Sequence, residues 1–265
     1  MPLSLVSLPA QTRCIMRYFL ELSYHGAAFC GWQRQDNALS VQEVLEENLS
    51  KLFAETIAVT GCGRTDTGVH AHRYFAHIDT EKEEPENFLY RINRMLPDGI
   101  AIQRIFPVAP NLHARFDAID RTYKYFVHTD KNPFLEDRSF HIHRWRPDVE
   151  QMNACIRQLL GERDFSTFEK KGSDNKTSVC LLKEAYWEST EHGWVFTITA
   201  NRFLRNMVRR ITAALLEVGL GRMDADTLLE AVRQQQPLEV KLAVPAKGLF
   251  LWDIRYDFNK QETND

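Results

Sequence analysis

From Arg17 to Phe106 the apolar residues switch between the two spacings that regular backbone allows, in the order strand, helix, strand, strand, helix, strand. Arg17 to Tyr24 alternates as a half-buried strand does. Ser40 with Glu43 reads as a capping box opening a helix, and Val41, Val44, Leu45, Leu49, Leu52 and Phe53 supply its apolar stripe. Ile57 to Thr60 and Tyr74 to Ile78 are short β-type runs on either side of a glycine-rich loop. Pro85 opens a second helix near 85–96, with Phe88, Leu89, Ile92, Met95 and Leu96 facing inward, and Ile100 to Phe106 returns as a strand. The order β-α-β-β-α-β predicts a ferredoxin-like arrangement.

The rest of the chain is a looser echo. Thr122 to His128 reads as a strand, and Asp148 caps a helix that buries Met152, Cys155, Ile156, Leu159 and Leu160. Leu181 to Ser189 and Trp194 to Ala200 read as paired strands around a turn at 191–193. Leu204 to Val218 is a helix stopped near Gly219 and Gly221, 225–234 a shorter one, and Leu249 to Tyr256 a closing strand. The fold class is therefore α+β: two α/β halves, 16–110 and 111–258, meeting near 107–115, with their sheets forming one platform. Residues 1–15 carry no periodicity and are expected to be a disordered extension; 259–265 form a polar tail.

At 265 residues the chain has room for a sizeable core, and no apolar run approaches the roughly 18 residues of a membrane helix. The first residues lack the basic segment of a signal peptide. Five cysteines, an odd number with no Cys-x-x-Cys pair, argue for a reducing compartment, hence the cytoplasm, and against a disulfide framework or zinc knuckle. With a net charge of −3 the surface as a whole does not attract polyanions, so any RNA partner needs a local basic patch. Residues 201–222 offer one: Arg202, Arg205, Arg209, Arg210 and Arg222 against the single acid Glu217.

The glycine-rich loop between the β-type runs, Gly61 to Ala71, carries the densest chemistry. It sets Asp66 two residues after Arg64, among Gly61, Gly63 and Gly68, so a carboxylate lies where backbone can turn sharply and come close to a ligand. Arg64 can hold that carboxylate ionised or bind a phosphate. The same Thr-Asp-Thr-Gly sequence is also ordinary turn chemistry, because Asp side chains bond their own backbone two residues on. His70 and His72 share one face of an extended strand, as do His141 and His143. With Cys62 and Asp66 nearby a metal-dependent hydrolase is conceivable, although the spacing is no standard zinc pattern.

This loop resembles the signature of the tRNA pseudouridine synthase A family. Further blocks resemble the same family in the same order: Tyr24-His-Gly with Gly31-Trp-Gln-Arg-Gln35, Leu96 to Ile100, Phe116-Asp-Ala118, Arg121 to Tyr125, Asp164 to Phe168, Phe203 to Arg209 and Gly248 to Trp252. The family often has Asp where this chain has His25. The resemblance implies a pseudouridine synthase fold with a largely antiparallel central sheet and flanking helices. It also implies isomerisation of uridine to pseudouridine at positions 38, 39 and 40 of the tRNA anticodon stem-loop. Asp66 is then the catalytic nucleophile, and Arg209 its counter-charge. Tyr123 is the face that stacks on the target uracil, where periodicity alone reads a core aromatic with its hydroxyl at the rim. Arg64 helps extrude the base or holds its phosphate, and Leu249 forms an apolar wall. Arg205 falls where relatives often have His; one helical turn before Arg209, it is expected on the same face. A solvated helix face touching phosphate is the alternative for both helix arginines. No metal, no organic cofactor and no membrane are implied; the partners are tRNA and a second copy of the chain. A synthase acting on a different RNA, a non-catalytic RNA-binding protein and the hydrolase built on Cys62, Asp66, His70 and His72 stand as alternatives.

Overall fold

The computed structural model describes residues 15–170, 172, 176–238 and 243–258. Its strands are β1 (Met16–Tyr24), β2 (Thr60–Gly61), β3 (His70–Thr80), β4 (Ile100–Val108), β5 (Asp120–His128), β6 (Phe140–His141), β7 (Gly161–Asp164), β8 (Val179–Ser189), β9 (Gly193–Ala200) and β10 (Leu249–Arg255). Its α-helices are α1 (Val41–Phe53), α2 (Phe88–Met95), α3 (Val149–Arg157), α4 (Met207–Gly219) and α5 (Ala225–Arg233). All ten strands join one sheet in the order β4-β1-β3-β10-β5-β9-β8-β7, with β2 on β3 and β6 on β5. The sheet is mixed. β10 runs parallel to β3 and β6 parallel to β5, while the other pairs are antiparallel.

β10 is the joint of this sheet. It pairs Phe250 with His70 on one side and Leu251 with Tyr123 on the other. Two apolar clusters lie along the sheet. One gathers Phe19, Leu20, Leu45, Phe75 and Ile92; the other gathers Tyr125, Phe165, Phe196, Ile211 and Leu215. Tyr123, half-buried, packs against both.

Local chemistry sets the element ends. Ser40 Oγ accepts from the Glu43 N–H at 3.3 Å, and α1 leaves through Ala54 at φ 49°. Asn87, at φ 54°, turns the chain into α2, so this helix starts at Phe88 and not at Pro85. Phe88, Ile92 and Leu96, spaced four apart, point inward, whereas Leu89 and Met95 fall off that line and are exposed. Asn206, at φ 63°, does the same for α4, so Leu204 and Arg205 precede that helix. Only Thr60 of the expected 57–60 strand enters the ladder. The short β6 and β7 have no alternating pattern to announce them, β7 being Gly-Glu-Arg-Asp. The expected extension, apart from Ile15, and the 259–265 tail lie outside the described residues.

Candidate active site

The loop carrying Asp66 rests on a second loop, residues 26–31, backbone against backbone. A Cβ on Gly26 would stand 2.0 Å from the Val69 carbonyl oxygen, and one on Gly31 would stand 2.4 Å from that of Thr65. Gly31 also sits at φ 81°, where a side chain would be strained. The Trp32 N–H donates to the Thr65 carbonyl at 3.3 Å, and the Tyr24 and Thr65 hydroxyls lie 2.8 Å apart. Trp32 stacks on Tyr74 with ring centroids 4.1 Å apart, and the Tyr74 hydroxyl donates to the Gly63 carbonyl. Asp66 closes its own turn, its carbonyl accepting from the Val69 N–H at 3.1 Å.

Arg209 approaches from the first turn of α4. Its Nη1 lies 3.5 Å from Asp66 Oδ2, with 19% of the arginine side chain and 34% of the aspartate side chain exposed. The guanidinium is steered by two further acceptors, Val244 O at 2.8 Å from Nε and Asn206 Oδ1 at 3.2 Å from Nη1. A half-buried pair keeps much of its attraction while leaving one side of the carboxylate open. Tyr123, on β5, meets Phe203 edge-on at 5.1 Å. Burial pushes its phenol well above the usual range, with a smaller push from Cys62 and from the Asp66 carboxylate, so the hydroxyl keeps its proton.

The remaining expected site residues lie less centrally. Leu249 is buried and faces Tyr125 across the ladder, whereas Leu251 faces Tyr123. Arg64 is exposed, and the counter-charge to Asp66 comes from Arg209. Arg205 is exposed in the turn before α4, so the expected helical one-turn spacing from Arg209 does not hold there. Arg202 and Arg210 donate to the carbonyls of Thr177 (3.0 Å) and Glu169 (2.7 Å). Arg222 belongs elsewhere, about 20 Å along α4, where it stacks on Trp145 at 4.5 Å.

The hydrolase set does not assemble. Burial pushes the Cys62 thiol up to about 12. His70 has both ring nitrogens engaged, Nδ1 with the Gly26 N–H (3.0 Å) and Nε2 with Lys247 O (3.2 Å). His72 stacks on Trp252 at 4.1 Å, and His141 lies between His128 and His143. Among the described residues no three His, Cys, Asp or Glu side chains are grouped to hold a metal. In the same residues no helix is long and apolar enough to cross a membrane.

Two contributors were not anticipated. Arg121 donates to four carbonyls, those of Arg115 (2.7 Å), Asn201 (2.9 Å), Ala118 (3.0 Å) and Cys62 (3.2 Å). It thereby ties β5 to the start of the Asp66 loop. Its place in the block with Tyr123 was visible in sequence; its reach to Cys62 was not. The other contributor is the segment Val244–Lys247, whose carbonyls receive Arg209, the Tyr125 hydroxyl (2.8 Å to Pro245) and His70.

The profile of a family described as tRNA pseudouridine synthase matches residues 22–117 and 155–257. Asp66 and Arg209 fall within those stretches and Tyr123 between them. Proteins named tRNA pseudouridine synthase A are similar along nearly their whole length. That of Parabacteroides distasonis is 44% identical over 244 residues, covering 91% of this chain and 96% of the relative. That of Bacteroides fragilis is 40% identical, covering 91% and 97%, and that of Bacillus subtilis 35%, covering 91% and 100%. Matched by the family model over most of its length and similar to these relatives over 91% of its residues, the chain belongs to the tRNA pseudouridine synthase family.

Proposed function

We propose that this protein isomerises uridine to pseudouridine in tRNA, at positions 38, 39 and 40 of the anticodon stem-loop. The observation that carries the reading is the half-buried ion pair between Asp66 and Arg209, which come from opposite sides of β10, with the Asp66 carboxylate near Tyr123. The reaction breaks the N1–C1′ bond, turns the uracil and rejoins it through C5. It is redox-neutral and needs no redox partner or energy donor, and in this reading a carboxylate, a counter-charge and an aromatic face carry it.

In this reading Asp66 is the nucleophile. Arg209 keeps its charge in place, and Tyr123 offers a protonated, unionised face to the extruded base. Unstacking a base costs a few kcal/mol, and stacking on an aromatic ring returns roughly 1–3 kcal/mol. Arg64, exposed within the loop, helps extrude the base or grips its phosphate, Arg205 takes another phosphate, and Leu249 backs the pocket as an apolar wall. Strand order supports two ferredoxin-like halves, 16–110 and 111–258: β2 on β3 with β4-β1-β3, then β10-β5-β9-β8, both read as the same permutation. The protein works in the cytoplasm as a homodimer, with one tRNA spanning both subunits. A net charge of −3 supports this, since one basic patch covers little of a tRNA and two copies cover more.

The test is to incubate purified protein with unmodified tRNA transcripts and map pseudouridine at single-nucleotide resolution. Product at 38, 39 or 40, lost when those uridines are replaced by cytidine, is the expected result. Product elsewhere, or in another RNA alone, would move the substrate assignment while leaving the chemistry. No product in any RNA would remove the proposal.

A further inference from the structure

His70, 1% exposed, has no part in the chemistry above, yet it contacts both the 26–31 loop under Asp66 and the Val244–Lys247 segment that holds Arg209. It is the first residue of β3, four residues after Asp66. Nδ1 lies 3.0 Å from the Gly26 N–H and Nε2 3.2 Å from the Lys247 carbonyl. A donor at the first nitrogen and an acceptor at the second leave one tautomer: neutral, with the hydrogen on Nε2. Burial, then the neighbouring His25, holds the ring neutral by lowering it to about 4. Phe250, stacked at 4.4 Å, fixes the ring plane.

Each partner of the ring leads to one of the two charges. Gly26 is the residue whose backbone presses on Val69, at the end of the Asp66 turn. Lys247 ends the segment that begins at Val244. Val244 holds Arg209 by two hydrogen bonds, Nε to its carbonyl at 2.8 Å and its N–H to the Arg209 carbonyl at 3.3 Å. Ala246 of the same segment lies 3.4 Å from where a Gly68 Cβ would stand. The imidazole thus bridges the floor of the Asp66 loop and the segment that aims Arg209.

We propose that His70 is a positioning residue which, as the neutral Nε2-protonated imidazole, sets the Asp66 loop in register with Arg209. This rests on the reading of Asp66 and Arg209 as the reacting pair. A carboxylate displaced by about 1 Å from its working geometry can lose on the order of a hundredfold in rate while substrate binding hardly changes. His70 therefore acts on turnover and not on tRNA affinity.

The test compares full-length His70→Ala and His70→Asn with the parent protein in multiple-turnover and single-turnover pseudouridine formation. Each is assayed where circular dichroism shows it folded. Ala breaks both bridges. Asn keeps an acceptor near the Nδ1 position and loses the reach to Lys247. The expected result is kcat lowered at least tenfold in His70→Ala and three- to tenfold in His70→Asn, with KM within threefold of parent. A merely structural role would lower Tm but leave kcat of the folded protein unchanged. If His70→Ala does not fold, His70→Asn decides alone. A folded His70→Asn with parental kcat overturns the proposal, as does a folded His70→Ala within threefold. Asp66→Asn is assayed in parallel. Its inactivity beside an active His70→Ala removes only the positioning role, whereas an active Asp66→Asn removes the reading beneath it.

Discussion

Arg209 and Val244 hold one another by two hydrogen bonds, guanidinium Nε to the Val244 carbonyl and Val244 N–H to the Arg209 carbonyl. This leaves Nη1 to face Asn206 and Asp66. A lysine keeps the charge but has no planar fork with which to meet three acceptors. Arg209→Lys should lower kcat at least tenfold and Arg209→Ala further. Affinity for tRNA should stay within about tenfold, roughly 1.4 kcal/mol. Filter binding alongside pseudouridine formation separates the two effects; an equal loss of affinity would assign Arg209 to binding.

Asp66→Asn keeps the shape of the side chain and removes its charge. Turnover should vanish while tRNA binds within roughly tenfold of the parent. Residual turnover above a few per cent, measured with enzyme in excess over tRNA, would take Asp66 out of the nucleophile's role.

Arg205 is exposed ahead of α4 and does not share the Asp66 contact. Arg205→Ala should weaken tRNA binding while kcat at saturation holds. The slope of log K against log salt should shrink by about one phosphate contact. An unchanged slope would mean that this arginine touches no phosphate.

Gly26→Ala puts a Cβ 2.0 Å from a backbone oxygen, which no side-chain rotation relieves. Overpacking of this kind costs about 1–3 kcal/mol. Urea denaturation should show that loss, and activity should fall beyond it because the Asp66 turn is displaced. A parental midpoint with parental activity would show that the two loops separate easily.

Acid should weaken the fold in a definite window. Burial lowers both His70 and His77 from 6.5 to about 4. Arg17 and His113 add to the shift at His77, whose Nδ1 accepts from the Ala114 N–H at 3.1 Å. The unfolded chain takes up these protons near pH 6.5, the folded chain only near 4, so the unfolded state binds more protons in between. Stability from these groups is complete above about pH 6.5 and declines as pH falls towards 4. Urea midpoints across that range should drop, and His77→Gln should make the decline shallower. A midpoint flat down to pH 4.5 would contradict the burial argument.

Much of the fold was legible because it rests on periodicity. Val41, Val44, Leu45, Leu49 and Phe53 are spaced as a helix requires, and all are buried in α1. The same reasoning failed at the starts of α2 and α4, where Asn87 and Asn206 turn the chain in left-handed conformations that hydrophobic spacing does not register, leaving Pro85 and Arg205 outside the helices. At the site, the sequence pointed to Asp66 and Arg209 through motif resemblance. It could not place Arg121 at Cys62 or Val244 at Arg209, since contacts between an arginine and a distant carbonyl leave no side-chain pattern. The metal alternative looked open in sequence because His70 and His72 do share a strand face. Only the environment of each ring reveals that both His70 nitrogens are engaged and that His72 is stacked on Trp252 with Nδ1 at its carbonyl.

The insertion of β10 between β3 and β5 has a consequence for synthesis. His72 and Trp252, neighbours across that joint, are separated by 180 residues. At cellular translation speeds of about 5–20 residues per second, the ribosome needs roughly 10–40 s to travel that far. Until β10 emerges, β3 and β5 each present an open edge to other nascent chains. The same late strand joins the Asp66 side of the sheet to the Arg209 side, so the ion pair between them waits on the last strand to be made.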